Sequence, residues 1–316
     1  MGESLRAGAS GNRLVGLESA VTIGRVNTVP VGRVDMQGKV CLVTGANSGI
    51  GKATALGLAE MGARVVMVCR DRARGTAARD EIRSASGNDS VELLVADLAS
   101  LGSVRKLAEH FVEAHERLHV LINNAAVLSP KRMETEDGFE MQFGVNHLAP
   151  FMLTNLLLER LKASGSTRVV NVSSMAHRGA KIDFEDLQSE KRYKMMRAYG
   201  QSKLGNVLFT YALAKRLAGT GVTANSLHPG IVRTGIFRDF PGPVRGLEKI
   251  LGGLILSTPT KGTKTSLYVA TSPEIEGIGG KYFEKCREAE SSAESHDEAV
   301  AERLWSVSAA MTGCGQ

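Results

Sequence analysis

The chain has few cysteines and no pattern among them. Cys41, Cys69, Cys286 and Cys314 occur, none in a C-x-x-C pair and none at metal-ligand spacing from a histidine. The usual zinc and dithiol redox motifs are therefore excluded, and a reducing, cytoplasmic setting is expected. Cys41 and Cys69 fall inside apolar runs, where a thiol behaves as a small buried apolar group. No stretch of about 18 apolar residues exists, so no transmembrane anchor is expected. Residues 1–35 lack the continuous apolar segment of a secretory signal. They are rich in Gly, Ser, Val and Arg, which leaves a targeting peptide open, and are expected to form a poorly ordered N-terminal extension. No run of about five basic residues exists either, so the net charge of +6 does not indicate nucleic-acid binding. A mild positive balance suits a phosphate-bearing ligand.

What is present is a regular alternation of short apolar runs and helical patterns from residue 36 onward. Val40–Val43, Arg64–Cys69, Val91–Ala96, His119–Ile122, Arg168–Val172, Val222–Leu227 and Gly280–Phe283 have the continuous apolar character of strands buried on both faces. Helical stretches lie between them. This rhythm predicts an α/β fold with one doubly wound, mostly parallel sheet flanked by helices, so 36–316 is taken as a single domain. Residues 236–260 break the rhythm with Pro241, Pro243 and an apolar piece, Leu247–Leu256. They suit either a lid over an apolar substrate or a helix packed on the core.

The first predicted strand runs into Thr44-Gly45-Ala46-Asn47-Ser48-Gly49-Ile50-Gly51 and then directly into a helix. A glycine-rich turn at that place lets backbone N–H groups approach a pyrophosphate at the helix N-terminus. The same glycines also suit an ordinary tight turn, but the strand before and helix after supply the context that a dinucleotide site needs. At the end of the second strand an acidic residue would hold an adenosine ribose 2′-hydroxyl. Cys69 stands there instead, followed by Arg70, whose guanidinium would pair with a 2′-phosphate. The preferred cofactor is thus NADP(H). Asp97 and Leu98 close the third strand at the ligand-binding edge, although Asp97 also suits the N-cap of the next helix. Asn123-Asn124-Ala125-Ala126 closes the fourth, where small residues allow close approach and the asparagines can bridge strands. A single helix is expected over Phe139–Leu161. Asn146 in its middle is a poor interior residue and marks a local bond or a kink holding a water. Ser174 ends the fifth strand, where it suits either an active-site hydroxyl or a turn cap.

Tyr199 and Lys203, four positions apart on a predicted helix, lie on one face. An ammonium beside a phenol favours phenolate and is expected to lower the Tyr199 pKa towards working pH. A phenol so placed can give a proton to a carbonyl oxygen or take one from an alcohol.

In this order and spacing the motifs resemble the short-chain dehydrogenase/reductase family over Gly38–Phe283. Phe143–Leu148, Tyr199–Asn206 and the long interval from Ser174 to Tyr199 are similar to its retinol dehydrogenase-like branch. The resemblance implies a seven-stranded Rossmann-type sheet of order 3-2-1-4-5-6-7. It implies Tyr199 as the acid/base and Lys203 as the group that lowers its pKa and binds the nicotinamide ribose. Ser174 would polarise the carbonyl, Asn146 would hold a water in a relay to Lys203, and Pro229, Gly230 and Thr234 would line the nicotinamide side. Ala126 stands where the family usually carries glycine. The expected activity is hydride transfer between NADP(H) and an apolar carbonyl or alcohol, and the family also implies a homodimer or homotetramer. Two alternatives remain open from the sequence: a catalytically silent NADP(H)-binding sensor, and a double-bond reductase resembling protochlorophyllide reductase.

Overall fold

Alternation within each strand decides which helices cover it. In β1 (Val40–Thr44), Cys41 and Val43 face one side and Leu42 the other, and all three are buried. β2 (Arg64–Cys69) repeats this with Val65 and Met67 opposite Val66 and Val68. Successive strand side chains point to opposite faces, so both faces must be covered. The computed structural model describes residues 34–230 and 259–314. All of the expected extension except Val34 and Asp35, Thr234, and all but the last two residues of the 236–260 lid lie outside the described residues.

The remaining elements in chain order are α1 (Gly49–Glu60), α2 (Arg72–Ser86), β3 (Val91–Val95), α3 (Leu101–Ala114), β4 (Val120–Asn123), α4 (Met141–Phe143), α5 (Ala149–Leu156), α6 (Leu158–Lys162), β5 (Thr167–Val172), α7 (Met195–Arg216), β6 (Val222–His228), a helix over Pro259–Thr271, β7 (Lys281–Glu284), β8 (Arg287–Glu288) and a C-terminal helix, Glu298–Thr312. The sheet order is β3-β2-β1-β4-β5-β6-β7-β8. One face packs against α1 and the Pro259–Thr271 helix through residues such as Leu58 and Val269. The other packs against α3, α5 and α7, and the C-terminal helix lies on α7 and α5, with Phe151, Phe209 and Trp305 in mutual ring contact.

Seven strands are parallel neighbours, as the alternation predicts. The eighth was not anticipated. β8 pairs antiparallel with β7 through a two-residue turn in which Lys285 and Cys286 both have positive φ, at 54° and 58°. Such turns normally announce themselves by Asn-Gly or Asp-Gly. Lys-Cys gives no such signal.

The expected helix over Phe139–Leu161 is broken. Gly144–Leu148 forms a π-helical turn with Asn146 at its centre, between α4 and α5. Pro150 supplies the reason. It has no N–H, so it cannot make the i→i−4 bond to the Asn146 carbonyl. Wider π-turns of this kind recur at functional sites.

Candidate active site

The strand order reverses between β1 and β4, and ligands of open α/β sheets bind outside the carboxyl ends at such a point. A cavity of about 690 Å³ lies there. The Thr44–Gly51 turn forms one wall, and its glycines are sterically required. A Cβ on Gly51 would fall 2.3 Å from the Gly45 carbonyl oxygen and 2.4 Å from Asn124 Nδ2. Gly45 has φ +67°, and a Cβ there would meet Ala125 Cα at 2.9 Å. The turn is stitched to the end of β4. Asn124 Nδ2 donates to the Thr44 carbonyl at 2.8 Å, and Thr44 Oγ1 accepts from the Asn124 and Ala125 backbone N–H groups. Asn123 Nδ2 donates to Asn171 Oδ1 at 2.8 Å, tying β4 to β5. Both asparagines therefore bridge strands. Gly45, Asn47, Ser48, Gly49, Ile50, Gly51, Asn124, Ala125 and Ala126 all line the cavity. The bare-glycine cradle at the N-terminus of α1 fits a phosphate-bearing dinucleotide.

At the far end Arg70, Asp97 and Leu98 line the same cavity. So does Arg74, which the sequence reading overlooked although it lies one helical turn past Arg70. Asp71 caps α2, accepting from the Arg74 backbone N–H at 3.0 Å. Asp97 is not a helix cap. Ser100 caps α3, and Asp97 Oδ1 accepts from the Ala99 N–H within its own turn.

Ser174, Tyr199 and Lys203 meet at the other end. Ser174 is the polar side chain set against the Tyr199 hydroxyl. Ser174 Oγ also accepts from the Ala176 N–H at 3.2 Å, so it caps the following 3₁₀ turn, Met175–His177, as well as facing the cavity. Lys203 is fully buried, and its Nζ donates to the Val172 carbonyl at 3.0 Å. The expected drop in the Tyr199 pKa does not appear. Burial pushes the phenol up to about 12, opposed by the Ser174 side chain, while burial pulls Lys203 down to about 7. Lys203 is drawn to the Val172 carbonyl, 5.8 Å from the Tyr199 ring centre, and desolvation outweighs its charge.

Asn146 does not line the cavity. Its Nδ2 donates to the Val127 carbonyl and to Ser202 Oγ, each at 3.0 Å, and its Oδ1 accepts from the Val127 N–H at 2.7 Å. The side chain is thus committed to holding the π-turn against α7. Pro150 gives its main-chain carbonyl no α-helical donor.

Pro229 and Gly230 line the cavity. The mouth is apolar, with Leu128, Val145 and four methionines, Met141, Met175, Met195 and Met196. Met175 and Met196 stand about half exposed, at 47% and 54%. No periodicity brings these methionines together. They come from α4, the 3₁₀ turn and the start of α7, and only the fold gathers them. Among the described residues no helix is long and apolar enough to cross a membrane, and no cluster of His, Cys, Asp or Glu could hold a metal.

The short chain dehydrogenase family model matches residues 39–242. The chain is 50% identical over 293 residues to human retinol dehydrogenase 14, covering 88% of this chain and 87% of the relative. It superposes on a crystal structure of an uncharacterised protein from Mycobacterium paratuberculosis with a TM-score of 0.73 and 36% identity, covering 89% of this chain and 96% of that one. A Pseudomonas aeruginosa RhlG/NADP active-site complex aligns with a TM-score of 0.64 and 26% identity, covering 84% and 98%. With the sheet order, the glycine turn and these matches together, the chain belongs to the short-chain dehydrogenase family, oxidoreductases that act on alcohol and carbonyl groups.

Proposed function

We propose that the protein reduces an apolar aldehyde or ketone, or oxidises the matching alcohol, with NADP(H) and with Tyr199 as the acid/base. The observation that carries this reading is the Ser174–Tyr199 hydroxyl pair beside buried Lys203 in one cavity with the glycine cradle. Gly45, Gly49 and Gly51 would hold the pyrophosphate, and Arg70 with Arg74 the 2′-phosphate. Bound there, the nicotinamide supplies or accepts the hydride. Ser174 donates a hydrogen bond that fixes the carbonyl oxygen. Tyr199, kept protonated by burial at neutral pH, delivers its proton to that same oxygen. In the oxidative direction the phenol must first lose that proton, and the positive charge of Lys203 favours the loss. The Asn146 main-chain carbonyl would hold the water that resupplies Lys203. Leu128, Val145 and the methionines exclude water and accept an apolar chain, their flexible thioethers adapting to its shape. Similarity to human retinol dehydrogenase 14 supports a substrate of that apolar kind, and the RhlG/NADP complex supports the cofactor. The free thiols suit a cytoplasmic setting.

The test is NADPH consumption with a panel of apolar aldehydes. Turnover is expected with NADPH over NADH, and Tyr199→Phe is expected to lose about 10²–10⁴-fold in kcat. Tight NADPH binding without turnover of any carbonyl would favour the silent sensor.

A further inference from the structure

His177 is fully buried three residues after Ser174, at the end of the 3₁₀ turn. Its Nε2 lies 3.1 Å from the backbone N–H of Ser292, which can only donate, so Nε2 accepts. A neutral imidazole carries one proton. That proton must sit on Nδ1, which therefore donates to the Ser174 carbonyl oxygen at 2.6 Å. A doubly protonated ring would set an N–H against the Ser292 N–H, so the geometry requires the neutral form. The turn is pinned from a second side by α7. A Cβ on Gly200, next to Tyr199, would fall 2.7 Å from the Ala176 carbonyl oxygen.

We propose that His177 is a positioning residue. Through its Nδ1–H it fixes the backbone of Ser174, and so aims the Ser174 hydroxyl at Tyr199 and the carbonyl between them. The other end of the ring anchors this turn to the segment after β8, on which no part of the reaction otherwise depends. The groups facing His177 are Arg178 on its own turn, Tyr282 and Glu284 on β7, His228 on β6, and Glu294 on the segment after β8. The Tyr282 ring packs 4.9 Å from the imidazole and fixes its plane. Burial holds His177 below the usual imidazole pKa, consistent with a ring that stays neutral where the enzyme works. The proposal rests on the reductase reading given above.

The test uses the full chain, NADPH and nonanal as probe. His177→Leu removes both hydrogen bonds, whereas His177→Asn keeps an amide N–H where Nδ1 stands. His177→Leu is expected to lower kcat about tenfold, the scale of one hydrogen bond. KM and NADPH affinity, read from nicotinamide fluorescence, are expected to stay within about twofold of the unaltered protein. His177→Asn is expected to recover kcat to within about threefold. An unchanged kcat in His177→Leu overturns the proposal, as does a His177→Asn variant as slow as His177→Leu. A readout independent of turnover is the nitrogen spectrum of histidine-labelled protein, with His177→Asn assigning the signal. The neutral Nδ1–H tautomer from pH 6 to 8 supports the proposal. The Nε2–H tautomer, or a ring that titrates within that range, overturns it even where His177→Leu fails to fold. An unaltered protein that binds NADPH but reduces no carbonyl sinks the reductase reading, and the tautomer then still decides whether His177 holds Ser174.

Discussion

Lys203 Nζ lies 5.8 Å from the centre of the Tyr199 ring and gives its hydrogen bond to the Val172 carbonyl. The lysine is held by the end of β5, within reach of the phenol but not bonded to it. Burial lowers its pKa to about 7 from a usual 10.5. In the unfolded chain it stays charged to well above neutral pH, so folding gives up protonation at pH 7 and this residue costs stability there. Lys203→Met is therefore expected to lose turnover while its melting temperature at pH 7 rises by a few degrees. Scanning calorimetry beside the NADPH assay checks both. A lower melting temperature would show that the bond to Val172 outweighs the burial of charge.

Arg70 and Arg74 line one end of the cavity, and Asp71 between them is occupied as the cap of α2. Arg70→Asp is expected to weaken NADPH binding by about 10–100-fold, the scale of a charge-assisted hydrogen bond, and to leave NADH within about threefold. Arg74→Asp is expected to act in the same direction. Fluorescence titration with both nucleotides is the measurement. Equal losses for NADPH and NADH would remove these arginines from 2′-phosphate recognition.

Gly51→Ala puts a methyl 2.3 Å from the Gly45 carbonyl. Backbone cannot retreat cheaply on either side, since Asn124 clamps the same turn. The variant is expected to lose about 1–3 kcal/mol of stability, typical of overpacking, and measurable NADPH binding with it. Urea unfolding and nucleotide titration read the two effects. Gly102→Ala on α3, where a Cβ meets only Ser100 Oγ at 3.7 Å, is the control expected to leave NADPH binding unchanged and stability no lower.

Buried histidines set the response to acid. His115, His119, His147, His177 and His228 are all held below the usual imidazole pKa by desolvation, His147 down to about 4. Between pH 6.5 and about 4 the unfolded chain binds more protons than the folded one at these sites. Stability from them is present above pH 6.5 and is lost as pH falls through that window. Urea midpoints are expected to fall from pH 7 to pH 5. The fall is expected to be shallower in His147→Leu, which removes the most depressed of them. An equal slope in the variant would refute the assignment.

The alternation of apolar runs and helices was legible because each strand is buried on both faces, and burial is written locally in every residue. The glycine turn was legible for a related reason. Gly45 and Gly51 stand where a Cβ collides with backbone, so the restriction shows as residue identity. The sequence by itself therefore determined the parallel sheet and the glycine turn at its carboxyl edge. What it could not determine were the relations that depend on distance and burial. These are the β8 hairpin with its Lys-Cys turn, the π-turn imposed on Asn146 by Pro150, the methionine mouth and the balance of charge between Tyr199 and Lys203. Helical spacing set those last two residues on one face. Only the packed structure decided that desolvation, which depends on everything around them, exceeds their attraction across 5.8 Å.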